Sequence, residues 1–414
     1  MKTMNDGLPC GLIGHPLSHS FSPELHDLLG GKGYELWDID PDTLGIFFEK
    51  RQFGFVNVTI PYKQRVMAFC DELSETAQKI GSVNTVICRK DGSLYGDNTD
   101  ACGFLRMAQR AGIDFCGKKV LVLGSGGTSR TACAVIAAEG GSPTVISRSG
   151  ENNYENLHLH TDADIIVNTT PVGMYPHQNA SPLDLSRFEK LKGVLDVVYN
   201  PLRTRLLQQA QELHIPCEGG LYMLCAQAAR ARELYTGSKI SEEALENAYR
   251  TLLHERQSVV LVGMPGCGKT TVGKLLARKL GKEFADTDAL IEEKAGCTVA
   301  QIFSQAGEKA FRDLEEKVIA QCCAEGGKVI ATGGGAVLRA ENRRNLRMNG
   351  NVVWIKRPLQ ELPLEGRPLS KSCKAVEEMY ALRKDLYAAC ADLTVDNASP
   401  EACAEKIINK MGAI

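Results

Sequence analysis

Gly263, Gly268, Lys269 and Thr270 satisfy the spacing G-x-x-x-x-G-K-[ST], with a strand-like run, VVLVG, before them and a helix-like run, TVGKLLARKL, behind. Glycine lets the backbone curl so that successive amides and the next helix N-terminus converge on an anion. A lysine at this place reaches the β and γ phosphates, and a hydroxyl one residue on is placed for magnesium. The same residues would otherwise form a bare glycine turn with a surface lysine, but the strand and helix around them argue for ATP. Further on, Asp286 and Asp288 stand two apart at the end of a strand-like stretch, Arg312 follows Phe311 on a helix, and Gly333, Gly334 and Gly335 end another strand. Phosphoryl transfer is mainly positioning and charge neutralisation, for which carboxylates, an arginine fork and close-approaching glycines are the right materials.

A second glycine turn lies earlier, in VLVLGSGGTSR. Gly124 and Gly126 supply two positions of G-x-G-x-x-G, while Ser129 stands at the third. After the next strand, where an acidic residue would hold the ribose 2′-hydroxyl of NAD, the chain reads Ser147, Arg148, Ser149. A carboxylate there repels a 2′-phosphate; an arginine flanked by hydroxyls attracts it. The turn is therefore read as an NADP site, with a ligand-free strand–helix turn as the alternative.

The elements around these turns follow one rhythm. Short apolar runs such as CGLIG, FVNVTI, KKVLVLG, DIIVNTT and GVLDVV alternate with helical stretches, which predicts parallel α/β sheets. One helix is expected over 241–257, capped by Ser241, and the strand SVVLVG follows it with almost no linker. Residues 150–164 are short and polar where a doubly wound fold often places a longer helix, and are expected to trim the adenine side of the pocket. His15 and His19 are four apart, yet Pro16 between them prevents a shared helical face, so no metal site is assigned. Cys267, inside the phosphate loop, is read as a small filler that the loop would expose.

The ordered set GMPGCGKTT, DTD, GEKAFR, TGGGAV, RPLS and RKDLY, spread over residues 258–397, closely resembles shikimate kinase. The resemblance implies that Gly263, Gly266, Cys267, Gly268, Lys269, Thr270 and Thr271 surround ATP and that Thr270 and Asp286 hold Mg2+. Asp288 would polarise the acceptor hydroxyl, and Arg312 and Arg383 would clamp a carboxylate beside Gly333, Gly334 and Gly335. Arg367 would close over the phosphates from a lid. Only RPLQELPLEG separates it from the strand NVVWIK, a shorter connection than the family usually has.

Ahead of the kinase-like part, GHPLSHSFSPELH, NVTIPYK, GSVNT, GDNTD, NTTPVGM and GGLYMLCAQAA resemble shikimate dehydrogenase over residues 8–254. This implies shikimate contacts from Ser20, Ser22, Thr59, Lys63, Asn84, Asp100, Tyr199 and Gln227, with Lys63 and Asp100 catalytic. Gly124, Ser125, Gly126, Gly127, Thr128, Ser129, Arg130, Ser147, Arg148 and Ser149 would surround the cofactor. The chemistry agrees: hydride delivered to a ketone leaves an alkoxide that needs a positioned acid, and an ammonium beside a carboxylate provides one.

Together the two resemblances imply a bifunctional enzyme of the shikimate pathway. Its dehydrogenase-like part would span 1–256, with a substrate lobe of about 1–100 plus helices of about 220–256 and an NADP lobe of about 101–219. A P-loop kinase part would span 257–414. A length of 414 residues fits two or three domains, and 48 basic against 50 acidic residues leave no nucleic-acid arm or polybasic membrane patch. Partners are therefore expected to be small molecules. Fifteen cysteines without C-x-x-C spacing read as free thiols, and no apolar run has the length of a signal peptide or membrane span, so the expected compartment is the cytoplasm. Two alternatives remain: an NAD-dependent quinate or shikimate dehydrogenase fused to a kinase, or one half without chemistry, kept for binding or regulation.

Overall fold

A computed structural model describes residues 7–17, 20–362 and 373–412. His19 and Arg367 lie outside the described residues, so neither the histidine pair nor the lid arginine is placed. The chain divides into two compact units, Met1–Asn200 with Gln209–Leu253, and Pro201–Gln208 with His254–Ile414.

The first unit holds two sheets. Strands β1 (Cys10–Gly14), β2 (Tyr34–Asp38), β3 (Phe55–Val58), β4 (Glu72–Leu73), β5 (Thr85–Cys88) and β6 (Leu94–Asp97) lie in the order β2-β1-β3-β5-β6-β4. This sheet is mixed rather than parallel throughout: β5 runs antiparallel to both β3 and β6. The cause is local. The β5–β6 connection is too short for a crossover, which needs a dozen residues or more, and it turns through Gly92 at φ 82°. Apolar side chains such as Ile13, Phe53, Val56, Val66 and Val86 fill one face.

Strands β7 (Lys119–Leu123), β8 (Ser142–Ile146), β9 (Ile165–Asn168), β10 (Gly193–Asp196) and β11 (Cys217–Gly219) form the second sheet, ordered β11-β10-β9-β7-β8 and parallel at every pairing. Because β7 is flanked by β8 and β9, the glycine turn after it opens where the strand order reverses, the place where α/β sheets bind ligands. Helix Gly127–Ala138 starts inside that turn. The polar stretch after β8 forms only a short 3-10 turn, Leu157–His160, as its composition suggests. Helices Asp100–Arg110 and Gly220–Thr236 pack closely, so close that a Cβ on Gly103 would stand 2.6 Å from the Met223 carbonyl.

The second unit carries β12 (Ser258–Val262), β13 (Glu283–Asp286), β14 (Lys328–Ala331), β15 (Gly350–Lys356) and β16 (Leu393–Asp396) in the order β13-β14-β12-β15-β16, again parallel. Fully buried Val259, Val260, Leu261 and Val262 make β12 the central strand, and its carboxyl end carries the phosphate-loop residues. Helix Glu242–Arg256 ends just before β12, and Ser241 Oγ accepts from Ala244 N at 3.1 Å, the cap expected from the sequence.

Candidate active sites

In the first unit, several side chains of the substrate group sit close to a strand end or helix start, and one projects from the middle of a helix. Thr59 and Lys63 follow β3, Asn84 precedes β5, Asp100 begins the helix after β6, and Gln227 projects from helix Gly220–Thr236. Lys63 Nζ lies 2.6 Å from Asp100 Oδ2. The other carboxylate oxygen, Oδ1, accepts from Asn84 Nδ2 at 2.8 Å, and Asn84 Oδ1 accepts from Thr99 N at 2.7 Å. Asp100 is thereby oriented by backbone that the helix start fixes, and it aims the ammonium in turn. Ser20 Oγ donates to Ser22 Oγ at 3.0 Å. All eight residues, Ser20, Ser22, Thr59, Lys63, Asn84, Asp100, Tyr199 and Gln227, line one cavity of about 240 Å3, joined by Asn57 and Met223.

A second cavity, about 760 Å3, opens beside Gly124, Ser125, Gly126, Gly127 and Thr128 and extends to Ser147, Arg148 and Tyr154. Thr59, Lys63 and Thr128 line both cavities, so the ammonium stands at their junction. A Cβ on Gly126 or Gly127 would meet nothing within 4 Å, leaving room over the helix N-terminus for a pyrophosphate. Among the described residues no carboxylate lines this cavity, and Arg148 forms no ion pair. Those features suit a 2′-phosphate.

Three expected cofactor residues are not in that lining. Ser129 is buried against the sheet on the inner face of its helix, where a third glycine would serve close packing, and Arg130 and Ser149 are exposed. In their place are Tyr154, Thr169 and Thr170. The threonines belong to NTTPVGM, and Thr169 Oγ1 donates to the Leu123 carbonyl at 2.6 Å, which sets the loop beneath the glycine turn. Tyr154 is brought in by the asparagine-rich loop that replaces a helix, in which Asn153 N donates to Asn156 Oδ1 at 2.8 Å.

The second unit gathers its group at the carboxyl ends of β12, β13 and β14. Gly263 at φ 145° and Gly268 at φ 99° give the loop a shape that other residues resist. Lys269 is buried in the loop, its ammonium donating to the carbonyls of Gly263 and Met264 at 2.9 Å each. Thr270 Oγ1 donates to Asp286 Oδ2 at 2.8 Å, an oxygen pair of the kind Mg2+ shares with phosphates. Cys267 is 1 % exposed, so the loop covers this thiol rather than exposing it, and a Cβ on Gly263 would stand 3.0 Å from its sulfur. Asn397 Nδ2 donates to the Cys267 carbonyl at 2.7 Å and steadies the loop from behind.

Asp286 Oδ1 accepts from Asp288 N at 3.1 Å, capping the helix that starts there. Asp288 faces the glycine turn: a Cβ on Gly333 would come within 2.6 Å of its Oδ1, and one on Gly335 would collide with the Arg312 guanidinium. Burial, and then the charge of Asp286, push the Asp288 carboxyl above the usual carboxylate range, against the pull of Lys269. Arg383 Nη1 donates to the Gly334 carbonyl at 3.0 Å. Gly333, Gly334, Gly335, Asp288, Arg312 and Arg383 thus meet around one turn. Glu315, fully buried, accepts from Arg312 Nη1 at 2.8 Å, and burial raises its carboxyl too. It was not foreseen from the sequence, although its place three residues after Arg312 on one helix is the available signal.

The first unit therefore has the architecture of a two-lobed dinucleotide-dependent oxidoreductase, and the second that of a P-loop phosphotransferase. Residues 12–86 match the family model for the shikimate dehydrogenase substrate binding domain, and residues 265–412 match that for shikimate kinase. A shikimate dehydrogenase (NADP(+)) of Clostridium perfringens strain SM101 is 35% identical over 264 residues, covering 58% of this chain and 97% of the relative. Among solved structures, a chorismate mutase/shikimate 5-dehydrogenase fusion protein from Clostridium acetobutylicum superposes with a TM-score of 0.57 at 34% identity, covering 60% of this chain and 98% of that one. The shikimate 5-dehydrogenase of Thermus thermophilus in complex with NADP(H) and shikimate gives a TM-score of 0.54 at 35% identity, covering 59% of this chain and 99% of that one. The chain belongs to the shikimate dehydrogenase family through its first part and carries a shikimate kinase domain in its second.

Proposed function

We propose that this chain carries out two successive reactions on one ring. The first unit reduces 3-dehydroshikimate to shikimate with NADPH, and the second phosphorylates shikimate at its 3-hydroxyl with ATP and Mg2+. The observation that carries the reading is the place of Lys63: within 2.6 Å of Asp100 and on the wall of both the smaller and the dinucleotide-sized cavity.

Bound NADPH supplies the hydride. As the carbonyl carbon receives it, Lys63 Nζ gives a proton to the oxygen, and Asp100 stabilises the ammonium beforehand and keeps it aimed. Ser20 and Ser22 hold the ring carboxylate by hydroxyl donors, while Asn84, Thr59 and Gln227 read the ring hydroxyls. Arg148 and Ser147 take the 2′-phosphate of the cofactor.

In the second unit Arg312 and Arg383 hold the carboxylate of shikimate, and the Gly333–Gly335 turn lets the ring lie against backbone. Asp288 accepts a hydrogen bond from the attacking hydroxyl, and Lys269 with the loop amides neutralises the transferred phosphoryl group. Thr270 and Asp286 would hold Mg2+, which would supply further neutralisation of the phosphate charge. Reduction produces the very hydroxyl that the kinase then uses, which gives one chain a reason to carry both sites. All fifteen cysteines are free, which supports a reducing cytoplasmic setting.

Each activity is to be assayed alone. Oxidation of NADPH but not NADH by 3-dehydroshikimate, and conversion of added shikimate with MgATP, support the reading. A preference for NADH would assign the first unit to the NAD-dependent alternative instead.

A further inference from the structure

The first unit holds another cavity, about 510 Å3, that the proposed reduction does not use. Its walls include Pro9, Cys10, His26, Tyr34, Arg232 and Tyr235, with Lys32 at its edge. The charge is one-sided, because no Asp or Glu lines it among the described residues.

His26 is 1 % exposed and stacks flat on Tyr34, ring centroids 4.0 Å apart. Its tautomer follows from the bonds around it. Asn57 Nδ2 donates to Thr85 Oγ1 at 3.0 Å and to the Asn84 carbonyl, which makes Asn57 Oδ1 an acceptor, and His26 Nε2 lies 3.2 Å from that oxygen. Nε2 therefore carries the hydrogen and Nδ1 is left as a lone pair. His26 Nδ1 and Arg232 Nε have no hydrogen-bond partner and almost no accessible surface, so both atoms lie behind the cavity wall and the other guanidinium nitrogens are left to face a ligand. Burial and the nearby Arg232 charge lower the imidazole pKa to about 3, so the ring does not become a donor at neutral pH.

We propose that this cavity binds a small ring-bearing carboxylate. The Arg232 guanidinium, whose Nη2 also donates to the Gly30 carbonyl at 3.1 Å, takes the carboxylate, and Tyr34, Tyr235 and Pro9 pack on the ring. The site is tied to the substrate cavity. Asn57 and Ser22 line the substrate cavity; His26 is bonded to Asn57 and lies one helical turn from Ser22, while Arg232 shares a helix with Gln227. Occupancy of one cavity is thus linked to that of the other, and linkage is reciprocal. The site itself does not depend on the reaction proposed above.

Cys10 is the reporter, since it lines the cavity, whereas exposed Cys116 lies outside it. Alkylation by iodoacetamide is followed at each cysteine by peptide mass spectrometry, with 4-hydroxybenzoate as probe and 4-hydroxybenzamide as its neutral counterpart. Millimolar 4-hydroxybenzoate should slow labelling of Cys10 severalfold without changing Cys116. Arg232→Gln should weaken that protection about tenfold and Arg232→Lys less, in line with loss of a charge-assisted hydrogen bond. No protection of Cys10, equal protection by the amide, or full protection in a folded Arg232→Gln variant would overturn the site. Saturating shikimate should shift the half-protecting concentration without itself protecting Cys10; an unshifted value, or protection of Cys10 by shikimate alone, would remove the linkage through Asn57 and leave the site.

Discussion

Lys63 and Asp100 form an ion pair 2.6 Å long at the junction of two cavities, and the two residues come from different elements, the turn after β3 and the helix after β6. Asn84 holds the carboxylate side of the pair: its Oδ1 accepts from the Thr99 amide and its Nδ2 donates to Asp100 Oδ1.

Replacing Lys63 with alanine removes the proton donor without touching the second unit. The rate constant for reduction should fall by about 100-fold to 10,000-fold, the usual weight of general acid catalysis. Kinase turnover measured on the same preparation should stay unchanged, and loss of both activities would contradict independent sites.

Arg148 is exposed, forms no ion pair among the described residues, and lines the cofactor cavity. Arg148→Ala should raise KM for NADPH roughly 10-fold to 100-fold, the worth of a hydrogen bond between charged groups, while KM for NADH stays within about twofold. Equal loss for both cofactors would mean that the arginine only shapes the loop.

The phosphate loop was legible because its glycines, lysine and threonine act through backbone shape within one strand–turn–helix, all contiguous in sequence. The substrate residues of the first unit were legible only as ordered motifs that resemble a family, since β3, β5, β6 and helix Gly220–Thr236 meet through tertiary packing. Ser129 shows the limit of a local pattern: its position in the glycine fingerprint is real, but that position packs helix on sheet. Tyr154 and Thr170 reach the cofactor cavity through loops whose course depends on the whole sheet. The mixed first sheet was missed because apolar runs report strands and not their direction.

Gly333→Ala should disable the kinase without unfolding it. The added Cβ would stand 2.6 Å from Asp288 Oδ1, and Asp288 and the acceptor ring need the same space. A raised KM for shikimate is expected in a protein that still unfolds cooperatively. Unchanged kinetics would take the glycine turn out of the site.

Asp288 should cost stability. Its folded-state pKa lies above the ordinary value because of burial and then Asp286, so below the unfolded pKa both states are protonated and the penalty vanishes. As pH rises from that value through the raised one, the unfolded state ionises first and stability is lost; above both, the loss is constant. Asp288→Asn should therefore raise the melting temperature at pH 7 to 8, with a gain that shrinks as pH falls toward the ordinary carboxylate range, while kinase activity is lost. Glu315 is raised by burial and in part by the Asp288 charge, so the substitution relaxes that carboxyl as well, a change of the same sign. A melting temperature lowered at pH 8 would contradict the account.

The central claim, two sites serving successive forms of one ring, is tested most directly in one vessel. Purified protein is mixed with 3-dehydroshikimate, NADPH and MgATP, and every ring species is followed by mass spectrometry. The account predicts that shikimate 3-phosphate appears with stoichiometric loss of NADPH, and that leaving out NADPH abolishes it. Shikimate accumulating without phosphorylation would contradict the kinase assignment, and untouched 3-dehydroshikimate would contradict the role given to Lys63 and Asp100.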